Sequence, residues 1–144
     1  MRRGRPRDRC RGGNDMEQQV QGPPGRTLRN GRLGRFGEDR AVAWLQSRGF
    51  RVLERNWRCA RGEIDIVAWD SCTLAFIEVK TRSGTATGHP FEAITVTKRA
   101  RMRRLVPEWF DAHPEVHARA VRIDVVAVHV DGHRTAVEHL AGVL

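Results

Sequence analysis

Between Gly62 and Arg82 the chain holds two stretches of alternating polarity joined by a tight polar turn, and this pattern constrains the fold more than any other feature. In the first, Ile64, Ile66 and Ala68 alternate with Glu63, Asp65 and Val67. In the second, Ala75, Ile77 and Val79 alternate with Leu74, Phe76, Glu78 and Lys80. A period of two is that of a β-strand, whose successive side chains point to opposite faces. Asp70-Ser71-Cys72 supplies residues suited to a reversal. The two stretches, 62–69 and 73–82, therefore predict an antiparallel hairpin.

The remaining elements follow from periodicity. From Gly31 to Gly49 the spacing of Phe36, Arg40, Ala43, Trp44 and Leu45 predicts a helix that stops at Gly49. Residues 50–57 predict a strand, with a turn over 58–61. Ser83 to Pro90 reads as a mobile polar loop. Met102, Leu105, Val106, Trp109 and Phe110 lie at helical spacing, with Lys98, Arg99, Arg101, Arg103 and Arg104 making the opposite side basic. Pro107 lacks the amide donor a helix interior needs, so a break is expected near Leu105 to Pro107. Ala120 to Val130 predicts a long strand, Asp131-Gly132 a two-residue turn, and Thr135 to Leu140 a last strand. The resulting order, α-β-β-β-α-β-β without internal repeats, predicts an α/β domain: a small mixed sheet with helices packed on it.

Charge is unevenly spread. The net charge is +9 for 144 residues, and through Arg35 there are ten arginines against Asp8, Asp15 and Glu17. Residues 1–28 are rich in Gly, Pro and Arg and too poor in apolar side chains to offset their ordering entropy, so they are expected to be a flexible basic tail ahead of one domain at 29–144. The tail reads either as an electrostatic tether for phosphates or as a solvated extension. The three cysteines, Cys10, Cys59 and Cys72, form no Cys-x-x-Cys pair, which argues against a disulfide framework or a zinc knuckle. No apolar run reaches the ~20 residues of a membrane span. A cytoplasmic protein without a membrane partner is expected.

Only Lys80 and Lys98 are lysine among 26 basic residues. In a chain that otherwise uses arginine, a retained lysine points to a site wanting a compact ammonium rather than a planar fork. The hairpin converges on the same place. A two-residue turn at Ser71-Cys72 sets Asp65 directly opposite Glu78, where like charges about 4.5–5.5 Å apart at Cβ are destabilising unless neutralised. Carboxylate oxygens suit Mg²⁺ or Mn²⁺, and Lys80 lies two residues beyond Glu78 on the same face. Two acids, a lysine and a divalent metal are a set suited to phosphodiester hydrolysis.

Gly62-Glu63-Ile64-Asp65, the short hairpin, Glu78-Val79-Lys80, Gly37-Glu38 upstream and Lys98 downstream together resemble the YraN-like family of uncharacterised bacterial proteins. That family is similar to the PD-(D/E)xK nuclease superfamily, which includes restriction enzymes and archaeal Holliday-junction resolvases. The resemblance spans about Gly31 to Leu140. It implies a restriction-endonuclease-like mixed sheet and a Mg²⁺- or Mn²⁺-dependent DNA endonuclease acting on branched substrates. It further implies that Asp65 and Glu78 hold metal with the Val79 backbone carbonyl, that Lys80 positions or activates water, that Glu38 completes the metal site, and that Lys98 faces it. Ile64 stands where the superfamily's name has proline.

Simpler readings stand beside these. Glu38 could serve as a first-turn acid of its helix, and Glu63 as a solvated strand-end acid. Asp124 reads as a buried acid paired with Arg122 or a backbone donor, and no histidine is assigned to a metal. Arg99, Arg101, Arg103 and Arg104, with Lys98, are expected to hold DNA phosphates, which selects shape over sequence. Symmetric cutting of a junction implies a homodimer. The alternative function is a non-catalytic nucleic-acid-binding module or an interaction factor in DNA metabolism.

Overall fold

Seven elements account for residues 24–84 and 95–143, the part of the chain that the computed structural model describes. They are α1 (Pro24–Ser47), β1 (Arg51–Cys59), β2 (Gly62–Asp70), β3 (Thr73–Ser83), α2 (Val96–Ala112), β4 (Ala120–Asp131) and β5 (Arg134–Leu140). The expected α-β-β-β-α-β-β order is the observed one. The loop expected over 83–90 and the tail as far as residue 23 lie mostly outside the described residues, and α1 begins at Pro24 rather than at Gly31. Among the described residues no helix is long and apolar enough to cross a membrane.

The strands form one five-stranded sheet in the order β1-β2-β3-β4-β5. Only β3 and β4 run parallel, and α2 makes the crossover between them. The hairpin register is the one the sequence requires, with Asp70↔Thr73 closing a two-residue turn at Ser71-Cys72. Alternation along β3 feeds two cores. Ala75 and Ile77 pack with Ala41 and Leu45 of α1, Val126 and Val128 on one face. Leu74 and Phe76 pack with Met102, Leu105 and Trp109 of α2 on the other. At ~25 cal/mol per Å² of apolar surface removed from water, such two-sided burial supplies the main driving force for a three-layer α/β/α arrangement.

Several local expectations are corrected. The buried stripe of α1 is Gly37, Ala41 and Leu45, whereas Phe36, Arg40 and Ala43 are less enclosed and Phe36 is exposed. Ile64 joins Trp57, Val67 and Leu105 in the core under α2 instead of sharing a face with Ile66 and Ala68. Opposite this change of face, Asn56 lies between Arg55↔Ile66 and Trp57↔Ile64 with a positive φ of 51°, and a separate bulge in β1 falls between Val52 and Glu54. The β1–β2 turn is Ala60-Arg61, and the β4–β5 turn is Gly132-His133, because Asp131 pairs with Arg134. Finally, α2 runs unbroken through Pro107. Pro107 and Arg103 are both on the solvent side, so the carbonyl deprived of its i+4 donor faces water, while Leu105 and Trp109 hold the helix to the sheet.

Candidate functional site

A cleft opens where β2 and β3 part. Their ladder runs from Asp70↔Thr73 to Ile66↔Ile77 and ends there. One step further the same register would set Asp65 against Glu78. Instead β2 continues along β1, with Ile64↔Trp57 and Glu63↔Arg58. Meanwhile β3 continues along β4, with Glu78↔Val125 and Lys80↔Ala127. The sequence thus predicts the register of the two acids correctly but not their direct pairing, since the strands fork where two carboxylates would have faced each other. The Val79 N–H points into the fork and donates to Oδ2 of Asp65 at 2.7 Å.

Two glycines shape the walls. At Gly37 a Cβ would collide with the Thr81 side chain, so the absence of a side chain lets α1 press against β3 and brings the next residue, Glu38, over the fork. Gly62 starts β2 at φ +149°, a conformation other residues rarely adopt, and leads the chain out of the Ala60-Arg61 turn beneath Arg101 and Leu105. The cleft, about 180 Å³, is lined by Glu38, Glu63, Asp65, Glu78, Val79, Lys80, Arg101 and Met102. Glu38 lies far inside α1 rather than in its first turn, which removes the helix-end explanation for it. Glu63 combines two positions: it borders the cleft and pairs with Arg58 at 3.1 Å near solvent.

The charges are arranged asymmetrically. Glu78 is 6% exposed, and its Oε1 lies 2.6 Å from Lys80 Nζ and 4.0 Å from Arg101 Nη2. Among the described residues no cation pairs with Asp65. Burial pushes its pKa up to about 6 against the help of the Val79 amide, and Glu38, Glu78 and Glu63 push in the same direction as burial. Lys98, on the first turn of α2, is held below the usual lysine range chiefly by Lys80 beside it and secondly by burial. Lys98 is not among the residues lining the cleft but stands beside one of them, Lys80, and the Thr95 hydroxyl that caps α2 accepts the Lys98 N–H at 3.2 Å.

Oxygen donors of this kind, Asp65, Glu78, Glu38 and the Val79 carbonyl, match the preference of Mg²⁺ and Mn²⁺. The charge imbalance around Asp65 is one that a divalent cation would relieve. As the side chains stand, no group of three Asp, Glu, His or Cys among the described residues is disposed to hold an ion. Glu78 is engaged by Lys80, and Asp65 by the Val79 amide.

Arg101 differs from its neighbours on α2 in what it reaches. Arg99, Arg101, Arg103 and Arg104 are all exposed along α2, and Arg101 also borders the cleft. The signal was present, since Lys98, Arg101 and Met102 recur at helical spacing and Met102 is buried. Asp124 follows its sequence reading and exceeds it. It is fully buried and accepts from Arg122 Nε, His139 Nε2 and the Gly142 N–H at 2.9–3.0 Å. His139 had no part in the sequence expectation.

Comparison with known proteins covers this same region. A UPF0102 protein of Beutenbergia cavernae is 54% identical over 112 residues, 77% of this chain and 94% of the relative. One from Arthrobacter sp. (strain FB24) is 53% identical over 112 residues, again 77% and 94%. A third, from Streptomyces griseus subsp. griseus, is 48% identical over 114 residues, 78% of this chain and 96% of the relative. The model of the Uncharacterised protein family UPF0102 matches residues 37–128, from the glycine that seats α1 to the middle of β4, and the chain belongs to that family.

Proposed function

We propose that this protein is a Mg²⁺- or Mn²⁺-dependent endonuclease that hydrolyses DNA phosphodiester bonds, with branched DNA as its preferred shape. The observation that carries this reading is the fork between β2 and β3, which gathers Asp65, Glu78, Glu38 and Lys80 from two strands and a helix into one cleft. Asp65, Glu78, the Val79 carbonyl and Glu38 would hold the metal. A bound divalent cation supplies Lewis-acid polarisation of the phosphate and makes water easier to deprotonate. Lys80, on the same strand as Glu78 and 2.6 Å from it, orients the attacking water and carries a proton donor to the reacting phosphate. Lys98 adds a second ammonium at the same point. Arg99, Arg103 and Arg104 face solvent along α2 and grip the DNA backbone, a contact that selects shape over sequence. Symmetric cutting of a junction would use a second copy of the chain.

Cleavage of labelled duplex, single-stranded and four-way-junction DNA with Mg²⁺ or Mn²⁺ tests this reading, comparing wild type with Asp65→Ala, Glu78→Ala and Lys80→Ala. Metal-dependent cutting by wild type alone is expected, each variant losing at least about a hundredfold. A second reading, a DNA-binding module without turnover, is favoured by the Lys80–Glu78 ion pair and the absence of three converging ligands among the described residues. It predicts salt-sensitive DNA binding that survives Lys80→Ala and no cutting by any form.

A further inference from the structure

Arg101 stands in the wrong place for a side chain that only follows a DNA backbone. Arg99, Arg101, Arg103 and Arg104 are all exposed, but Arg101 also runs across the start of β2, where its Cδ would lie 3.7 Å from a Cβ placed at Gly62. Its Nη2 ends 4.0 Å from Oε1 of the buried Glu78, the same oxygen that Lys80 approaches to 2.6 Å. Among the described residues Glu78 thus has two cations, and Asp65, across the fork, has none.

We infer that Arg101 is a positioning residue: with Lys80 it serves as the resident counter-cation of Glu78, and it passes to a phosphodiester oxygen when a divalent cation takes that carboxylate. The inference rests on the reading of the cleft as a metal and phosphate site. Its physical basis is competition. A divalent cation at Glu78 is repelled by a guanidinium 4.0 Å from the same oxygen, and that repulsion falls once a phosphate draws the guanidinium away. Metal and DNA therefore strengthen each other's binding, and linkage makes the factor the same in both directions. Arginine suits this task because its fork can face a carboxylate or a phosphate with little reorganisation.

The test is Mn²⁺ binding to the full chain by calorimetry, alone and with a phosphorothioate-substituted duplex that resists cutting. In wild type the duplex tightens Mn²⁺ binding by roughly fivefold or more. Arg101→Ala binds Mn²⁺ more tightly than wild type without DNA and loses most of the enhancement, and Arg101→Lys restores part of it. Arg119→Ala, next to the strand end where Ala120 pairs with Thr73 beside the hairpin turn, behaves as wild type. Equal Mn²⁺ affinity in wild type and Arg101→Ala under both conditions overturns the inference and leaves the metal reading intact. Absence of Mn²⁺ binding by wild type with and without DNA overturns both.

Discussion

Asp65 and Asp124 are both carboxylates set on strands of the one sheet, yet they live in opposite circumstances. Asp124 on β4 is fully buried and fully answered: Arg122 donates to both oxygens at 3.0 Å, and His139 and the Gly142 amide complete the set at 2.9 Å. Arg122 itself is held from behind by Asp70 at 2.8 Å. Burial is the largest single influence on the Asp124 carboxyl and pushes its pKa up, but the hydrogen bonds from His139, Gly142 and Arg122 together outweigh it and hold the group below the usual carboxylate range. Asp65 on β2 receives one amide, and its charged neighbours are three more acids. Fold-building chemistry satisfies a carboxylate within the chain. A carboxylate left short of positive charge in an open cleft is disposed toward something from outside.

The difference can be broken or sharpened by experiment. The largest effect is expected from Asp124→Ala, which takes the shared acceptor from a half-buried guanidinium, an imidazole and an amide together. Chemical denaturation should show a loss of about 3–5 kcal/mol, and a loss of only a few tenths would remove the contrast. Asp65→Asn should go the other way, gaining about 2 kcal/mol at pH 7 because the folded chain no longer has to ionise a buried acid. The sign also fixes the pH window. As Asp65 has its folded pKa raised from 3.8 to about 6, the folded chain keeps the proton longer, and the stability it contributes is present below about pH 4 and lost as pH climbs to about 6. That decline should vanish in Asp65→Asn. Asp124 contributes in the opposite sense, its stability being lost on acidification through the carboxylate range.

Smaller effects probe the surroundings of Asp65. Gly37→Ala should cost about 1–2 kcal/mol, because the new methyl must push α1 away from Thr81. It should also bring the Asp65 pKa down as Glu38 withdraws, a shift readable by carbon NMR of the carboxyl. Least of all, Glu38→Gln and then Glu63→Gln should lower the Asp65 pKa in that order, following their relative influence on it. Equal or reversed shifts would mean that Glu38 does not face the fork.

Much of this was legible because β-strands write their geometry plainly. Alternation gave β2 and β3, turn length gave their register, and the midpoint between Asp65 and Glu78 located the acids. The fork was not legible, since it depends on β1 and β4 competing for the outer edges of the same two strands. The buried stripe of α1 was hidden because two of its contact residues, Gly37 and Ala41, carry little hydrophobic signal, while the conspicuous Phe36 faces water. Pro107 misled for a related reason. Its penalty depends on whether the orphaned carbonyl is wet, and a sequence does not say which side of a helix is wet until the packing is known. Arg101 was hidden among identical neighbours that differ only in rotation about α2.

Pro107 also makes α2 mechanically uneven. Beyond it, Trp109 donates to Glu54 at 2.9 Å and His113 approaches the same carboxylate at 2.9 Å, so the far end of the helix is bolted to β1. Before it lie Lys98 and Arg101, over the cleft. A helix lacking one internal hydrogen bond bends most easily at that step. Tilting about Pro107 is opposed on the cationic side as well, because Met102 and Leu105 are sunk in the core against β3, so the charges beside the fork are held at a fixed height by packing rather than by the helix's own hydrogen bonds.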